Sequence, residues 1–430
     1  MASESNIPTP ATPDVCTVSI LTGGTQIPGS YHLLSVTVNK ELNRIPSATL
    51  YFYDGEASRS TFEISNSETF IPGKEIEILL GYRSQNDTVF KGVIVSHSVR
   101  VRRNSSMLIV ECRDKAIGMT LGRKNKYFAE QKDSEIMEQI IGNNGLQKEV
   151  EATTTDLKEV VQFDSSDWDF LLCRAEANGH VVLVEDGKVT VSKPATGSEA
   201  VVSVSYGNTL LELDAVIDAR VQSESIKAES WNPADQQVIG AEAREPETTG
   251  NGNLSADVLS AASGGRAHNL VHGGVLSQPE LQIWADGRLL KERLSKTRGT
   301  AKFQGFAGVL PGKIIELSGI GERFEGKLYV SGVRHTVADG NWETDVQLGL
   351  NPDLFAETVN LRPLPASGLL PGIVGLQIGK VTQLENDPAG EDRIKVRLPV
   401  ISTSDEGIWA RISTLDAGDQ RGTYFRPEID

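Results

Sequence analysis

The chain has 430 residues, 39% of them hydrophobic and 23% charged, which excludes wholesale disorder and leaves room for about three domains with sizeable cores. Lys and Arg total 42 against 58 Asp and Glu, so a net charge of −16 repels phosphate backbones and argues against nucleic-acid binding. No stretch approaches the roughly 18 apolar residues of a membrane span. The N-terminal residues lack the basic and apolar regions of a secretory signal.

In chain order, residues 1–14 carry three prolines among small polar residues and read as a flexible arm. Strands then dominate 15–126. Val15–Ile20, Leu33–Val38, Ala48–Tyr53, Glu75–Ile78 and Met107–Cys112 alternate at hairpin spacing, and Asp54-Gly55 is a turn signal. The basic stretch Arg100-Val101-Arg102-Arg103, followed by Arg113, Lys115, Arg123, Lys124 and Lys126, alternates charge with Val99 and Val101. That is a solvated strand face rather than a nucleic-acid patch, since no aromatics interleave. Residues 127–196 form a small α+β unit. One amphipathic helix follows Asp133-Ser134. A second starts at Ser165-Ser166-Asp167, carries Trp168, Leu171, Leu172 and Ala175 on one face, and ends at Asn178-Gly179. A hairpin around Asp186-Gly187 closes the unit.

Strands resume near Val201 and fill 197–360, with a long loop predicted at 245–265 and a helix over 278–296. A linker at 361–369 leads to a last β unit, 370–430, opening on Gly372-Ile373-Val374. An echo runs through the two strand-rich regions. Ile71-Pro72-Gly73-Lys74-Glu75-Ile76-Glu77 recurs as Leu310-Pro311-Gly312-Lys313-Ile314-Ile315-Glu316. Phe90-Lys91-Gly92 recurs as Phe324-Glu325-Gly326, Val95-Ser96 as Val330-Ser331, and Arg100 is echoed by Arg334. The strand after each echo, Met107–Cys112 and Glu343–Leu348, keeps the alternation. The expected fold is mainly β: two duplicated β-barrels around a small α+β insertion.

The chemistry-bearing residues form no catalytic pattern. His268 and His272 have the i, i+4 spacing of a helical metal pair, but they sit between glycine pairs and lack the Glu of an H-E-x-x-H motif. They are expected not to share a metal. Cys16, Cys112 and Cys173 are widely spaced in apolar settings and read as unpaired structural thiols of a reducing compartment. Asp164, Asp167 and Asp169 flank a helix start, where anions complement the helix dipole. Glu385-Asn386-Asp387 and Glu391-Asp392 read as solvated loop. No G-x-S-x-G, C-x-x-C or dinucleotide-binding glycine motif is present. No catalytic, cofactor-binding or metal-binding residue is therefore assigned, and no cofactor is expected.

Several stretches point to a family. They are Trp231-Asn232-Pro233, Leu270-Val271-His272-Gly273-Gly274, Ala285-Asp286 to Leu294, Phe303-Gln304-Gly305, Gly332-Val333-Arg334-His335, and Asp339-Gly340-Asn341-Trp342 through Val346. Together they resemble the VgrG (Vgr/Rhs-element) spike proteins of contractile injection systems, in type VI secretion and phage-tail-like particles. Asp167-Trp168-Asp169-Phe170-Leu171-Leu172 with Glu176 and Asn178-Gly179 is similar to phage tail hub proteins. Residues Gly372 to Pro399 resemble the start of the family's OB-like domain.

The resemblance implies a homotrimeric hub with two tube-like barrels per chain. Its partners would be an inner-tube (Hcp-like) ring, baseplate components, a PAAR-like tip and effector cargo. The target membrane would be met only through the tip, and the role would be mechanical rather than enzymatic. Such a protein is made in the cytoplasm, assembled into the particle and translocated on firing. The family's β-helix is absent from this chain, whose end at Asp430 inside the OB-like segment implies further residues beyond it. Two rival readings are a hub bearing a cell-wall hydrolase and a receptor- or carbohydrate-binding β protein. Type VI and extracellular particles are not distinguished.

Overall fold

The computed structural model describes residues 15–429 apart from 104, 249, 370–374 and 419–420. The expected arm at 1–14 and the opening of the last unit at 370–374 lie outside the described residues. The chain divides into two compact units, Met1–Leu361 and Arg362–Asp430.

Unit one begins with β1 (Cys16–Thr22), β2 (Thr25–Gln26), β3 (Leu33–Glu41), β4 (Ser47–Tyr53), β5 (Glu75–Tyr82), β6 (Gln85–Val101) and β7 (Ser106–Arg113). Period-two alternation drives these strands. Ala48, Leu50 and Phe52 are fully buried while Ser47, Thr49 and Tyr51 face outward. Next come β8 (Lys124–Lys132), α1 (Asp133–Asn143), β9 (Gln147–Val150), β10 (Asp156–Ser165), α2 (Asp167–Ala177), β11 (Val181–Glu185) and β12 (Lys188–Ser192). Ser166 caps α2 by accepting from Asp169 N at 3.0 Å.

The second strand-rich region starts with β13 (Ala200–Ser205) and β14 (Leu210–Ile217). An insertion of β15 (Ser225–Asn232), β16 (Gln237–Glu242), α3 (Ala256–Ala262), β17 (Ala267–His272) and α4 (Gln278–Leu294) follows. The region then returns with β18 (Thr297–Gln304), β19 (Ile314–Ser318), β20 (Gly326–Ala338) and β21 (Asn341–Leu348). In the insertion, α4 buries Leu281, Ala285 and Leu289 against the β16-β15-β17 sheet. One expectation is corrected here. The predicted loop at 245–265 contains helix α3, capped by Ser255 on Val258 N. His268 and His272 lie on strand β17, parallel to β15, where their spacing is not that of a helical pair.

The duplication is written in the strand pairing. One region runs β1-β5-β6-β7-β4-β3, and the other runs β13-β19-β20-β21-β18-β14. The two orders correspond strand for strand, and the irregularities coincide. β6 bulges at Val95 against β7, and β20 bulges at Ser331 against β21. Leu34 on β3 and Leu211 on β14 are likewise the extra residues opposite β4 and β18. Phe52 and Phe303 fall at matching register positions, and both are fully buried. The Pro-Gly-Lys turns match bond for bond. Gly73 N donates to Ile94 O at 2.8 Å and Ile94 N to Lys74 O at 2.9 Å. Gly312 N donates to Val330 O at 2.8 Å and Val330 N to Lys313 O at 2.9 Å. One difference is that β1 pairs with β5 antiparallel, whereas β13 pairs with β19 parallel.

Register also corrects the echo. It aligns Ile94 with Val330 and Ser98 with Arg334, so Phe90-Lys91-Gly92 and Phe324-Glu325-Gly326 are offset by two residues and Arg100 matches Thr336. The hairpins before β6 and β20 differ in length, which absorbs the offset. The barrels are corrected as well. Among the described residues, neither run closes on itself. The outer edge of β3 pairs with β20 of the other run, from Glu41 opposite Gly332 to Ser35 opposite Ala338, so the two modules form one continuous sheet.

Unit two holds a three-stranded antiparallel sheet of β22 (Lys380–Gln383), β23 (Ile394–Arg397) and β24 (Ile408–Ala410). The loop between β22 and β23 is tied by Asp387. Its carboxylate accepts from the backbone N–H groups of Ala389, Glu391 and Arg393 and from the Arg393 guanidinium. The Arg393 hydrogen bond holds Asp387 well below the usual carboxylate range. Asp387 thus organises the loop that the sequence presents as merely solvated.

Candidate functional surfaces

The joint between the modules is built from one face of β3 and the second half of β20. Val36 and Val38 meet Val337 and His335 across the pair, and all four are buried. Trp342, on β21, packs in the first module's core and stacks on Tyr82 with ring centroids 5.3 Å apart. Tyr82 Oη donates to Gly305 O at 3.3 Å. His335 Nδ1 lies 3.1 Å from Thr344 Oγ1, and burial pushes its imidazole down to about 3. One side of the joint is therefore buried and mostly apolar. On its polar side Arg334 Nε donates to Asn39 Oδ1 at 2.8 Å.

The α+β unit seats its β11–β12 hairpin on the first module. Asn43 N and Val182 O, and Val182 N and Asn43 Oδ1, bond at 2.8 Å each. Gly187 N donates to Asp114 Oδ2 at 2.9 Å, and Lys91 N donates to Asp186 Oδ1 at 3.1 Å. Burial raises both carboxyls. Lys40, almost wholly buried, reaches Glu185 at 3.3 Å and keeps this cluster from being purely acidic.

A cavity of about 860 Å³ opens where α2, α4 and the joint converge, with Trp168, Cys173, Glu176, Trp284, Arg288 and Lys291 in its wall. Three of its charged groups, Glu176, Arg288 and Lys291, are occupied. Glu176 accepts from Lys291 Nζ at 2.6 Å and from Phe355 N at 2.7 Å, while Arg288 donates to Pro352 O at 2.8 Å. The helices approach closely here. A Cβ on either Gly179 or Gly287 would lie 2.6 Å from the other's Cα, so both positions require glycine. Gly179 is legible in the sequence as a helix stop, but its contact with α4, more than a hundred residues on, has no local signal.

The singled-out side chains are dispersed. His268 Nδ1 lies 3.3 Å from Glu292 Oε1, and His272 Nδ1 accepts from Gly274 N at 3.1 Å. The three cysteines are free thiols. Burial pushes Cys112 up to about 12 and Cys173 up to about 11, which suppresses thiolate chemistry. Asp167 stands in the first turn of α2, where the sequence places it, and is also a buried acceptor. Burial raises it, yet Lys124, Asn144 at 2.8 Å and Gln162 at 3.1 Å outweigh this and hold it low. Asp133 accepts a fork from Arg174 at 2.6 and 2.7 Å and a third bond from Asn178. Among the described residues, no group of three or more His, Cys, Asp or Glu side chains is placed to hold a metal. Much of the basic stretch is paired, Lys115 with Glu75 at 2.5 Å and Arg123 with Asp164 at 3.6 Å. Also among the described residues, no helix is long and apolar enough to cross a membrane.

Residues 12–339 match the Alg8 N-terminal domain, over three quarters of the chain. The chain belongs to the Alg8 N-terminal domain family. In this family member, residues 377–430 additionally match the type VI secretion system/phage-baseplate injector OB domain. No curated protein matches the chain by sequence. Among solved structures, a 43 kDa prophage tail protein of Shewanella oneidensis is similar at a TM-score of 0.58 and 12% identity, over 79% of this chain and 99% of its own. A tail protein of Neisseria meningitidis gives 0.57 and 15%, over 78% and 97%. An Escherichia coli component of the type VI secretion system gives 0.49 and 12%, over 91% and 92%. The mainly β architecture is thus a fold shared with these two tail proteins, and the injector OB match falls on the segment that the sequence presents as OB-like.

Proposed function

We propose that this protein is the hub of the spike in a contractile injection machine. The observation that carries the reading is the pair of modules with the same strand order and bulges, joined in one sheet and followed by an injector OB segment. Three chains with two such modules each present six similar surfaces, which meet a sixfold tube without a symmetry clash. In this reading the homotrimer caps the inner-tube (Hcp-like) ring, seats in the baseplate, and passes force to a PAAR-like tip and effector cargo. It is made in the cytoplasm and carried within the particle.

The work is mechanical, and its residues are interfaces rather than a catalytic pocket. The paired charges around the cavity support a packing role, with the α+β unit as a bracket holding the modules against α4. No cofactor, metal or nucleic acid enters the mechanism. The domain division follows: modules at 15–126 and 197–360, the α+β unit at 127–196 with its first strand reaching back to Lys124, a linker at 361–369 and the OB-like unit at 370–430.

The test is electron microscopy of the chain mixed with the tube protein of the same machine. Tubes capped at one end by a threefold density are expected. Absence of end binding, or decoration along the tube wall, would contradict the reading.

A further inference from the structure

Unit one passes into unit two through residues 349–361, and the first part of that path is held in two different ways. Gly349 and Leu350 belong to the core. Gly349 N donates to Tyr329 O at 2.8 Å, and Leu350, 7% exposed, packs with Leu42, Leu294 and Tyr329. From Asn351 the chain leaves the core. None of residues 351–359 is buried, and their one helix, α5 (Phe355–Thr358), is a single turn.

This strap is held by side chains of α2 and α4. Arg288 Nη1 donates to Pro352 O at 2.8 Å and Lys291 Nζ to Asp353 O at 2.6 Å, while Glu176 Oε2 accepts from Phe355 N at 2.7 Å. All three bonds take hold of the strap's backbone. Its apolar anchor is the half-buried Phe355, which packs against the core of the α+β unit. The strap also walls the cavity of about 860 Å³, which Cys173 of α2 lines as well.

We propose that residues 351–359 form a latch that lifts from α2 and α4 as one piece while the rest of unit one stays folded. The grip is sparse. Three hydrogen bonds and one half-buried ring hold it, whereas the neighbouring β20 and β21 share a strand ladder over buried side chains. Segments held so sparsely open well below global unfolding. Release also strands no charge. Lys291 keeps Glu176 at 2.6 Å and Arg288 keeps Glu292 at 3.5 Å when the strap is gone, so the penalty for leaving a largely buried charge alone does not arise. The break point is sharp, at the step from Leu350 to Asn351. Drawn out straight, residues 351–361 span at most about 40 Å, slack gained without separating any strand. The use of that slack, to let the connector lengthen under load, rests on the hub reading; the latch itself does not.

Two measurements on the 430-residue chain test the latch. The first follows Cys173 with a maleimide at neutral pH. Phe355→Ala and Arg288→Met should each speed its labelling about tenfold, as loss of one anchor shifts the opening equilibrium, while Cys112 stays protected. Thermal midpoints close to the parent's establish that the variants fold. The second pulls a single chain between handles on Asp339→Cys and Leu364→Cys, both exposed positions. One reversible lengthening of at most about 40 Å is expected before any larger step, and Phe355→Ala should bring it to lower force. Labelling of Cys173 unchanged in both variants, labelling that rises only together with Cys112, or a first step larger than the strap overturns the inference. A short step in a chain that does not bind tube ends leaves the latch and overturns the hub reading. Tube ends capped by a chain without the short step leave the hub and overturn the latch.

Discussion

Gly73→Ala and Gly312→Ala probe the duplication at its most exact point. Both glycines occupy the third position of an x-Pro-Gly-Lys turn, with φ of 96° and 86°. The closing bonds, Lys74 N to Ile71 O and Lys313 N to Leu310 O, are 3.1 and 3.2 Å. Proline fixes the preceding φ, and the positive φ that follows is one an L side chain resists. A Cβ at Gly73 would meet nothing within 4 Å, and one at Gly312 would only touch Tyr329 Oη at 3.7 Å. With sterics removed, the cost is the backbone term alone, about 1–2 kcal/mol at each site. The turns are distant from each other, so the double variant should add within about 0.5 kcal/mol. Urea or thermal unfolding of the parent, both single variants and the double variant measures this. For a unit of 150–250 residues 1 kcal/mol is about 2–4 °C, and less for a larger one. A neutral substitution at both sites, or a cost confined to one of them, would refute the claim that the turns are equivalent.

Three further outcomes are expected. His335 is held neutral in the folded chain and titrates freely when unfolded, so the unfolded state takes the proton first; stability should fall as pH drops from about 6.5 towards 3, by up to about 1.4 kcal/mol per unit. Unfolding midpoints across that window should flatten in His335→Gln. Asp133→Ala strands the Arg174 guanidinium in a largely buried site and should cost about 3–5 kcal/mol by denaturant unfolding, whereas exposed Asp235→Ala should cost under about 0.5. Native protein titrated with a thiol reagent at neutral pH should react at Cys173 slowly and at Cys112 only after denaturant is added.

The elements were largely legible because period-two alternation and capping residues are local. Ser166, Asn178 and the Asp186-Gly187 turn stand where the sequence puts them. The duplication was legible only where turn chemistry demands particular residues, at Pro72-Gly73 and Pro311-Gly312. Elsewhere the modules share register more than residues. Tyr51-Phe52-Tyr53 and Lys302-Phe303-Gln304 match in space through one buried phenylalanine. Helix α3 was hidden because its apolar stretch is short and flanked by Gly, Asn and Ser. The roles of Asp133 and Asp167 were hidden because Arg174 and Lys124 lie 41 and 43 positions away. That the modules do not close as separate barrels among the described residues was hidden for the same reason: β3 chooses β20, nearly 300 residues on.

The hub reading stands or falls on how many copies meet the tube. Cryo-electron microscopy of the assembled particle, reconstructed at the tube end without imposed symmetry, counts them directly. Three copies, each contributing two like modules to a six-part ring, is the expected result. Six copies contributing one module each, or a single copy at the axis, would contradict it.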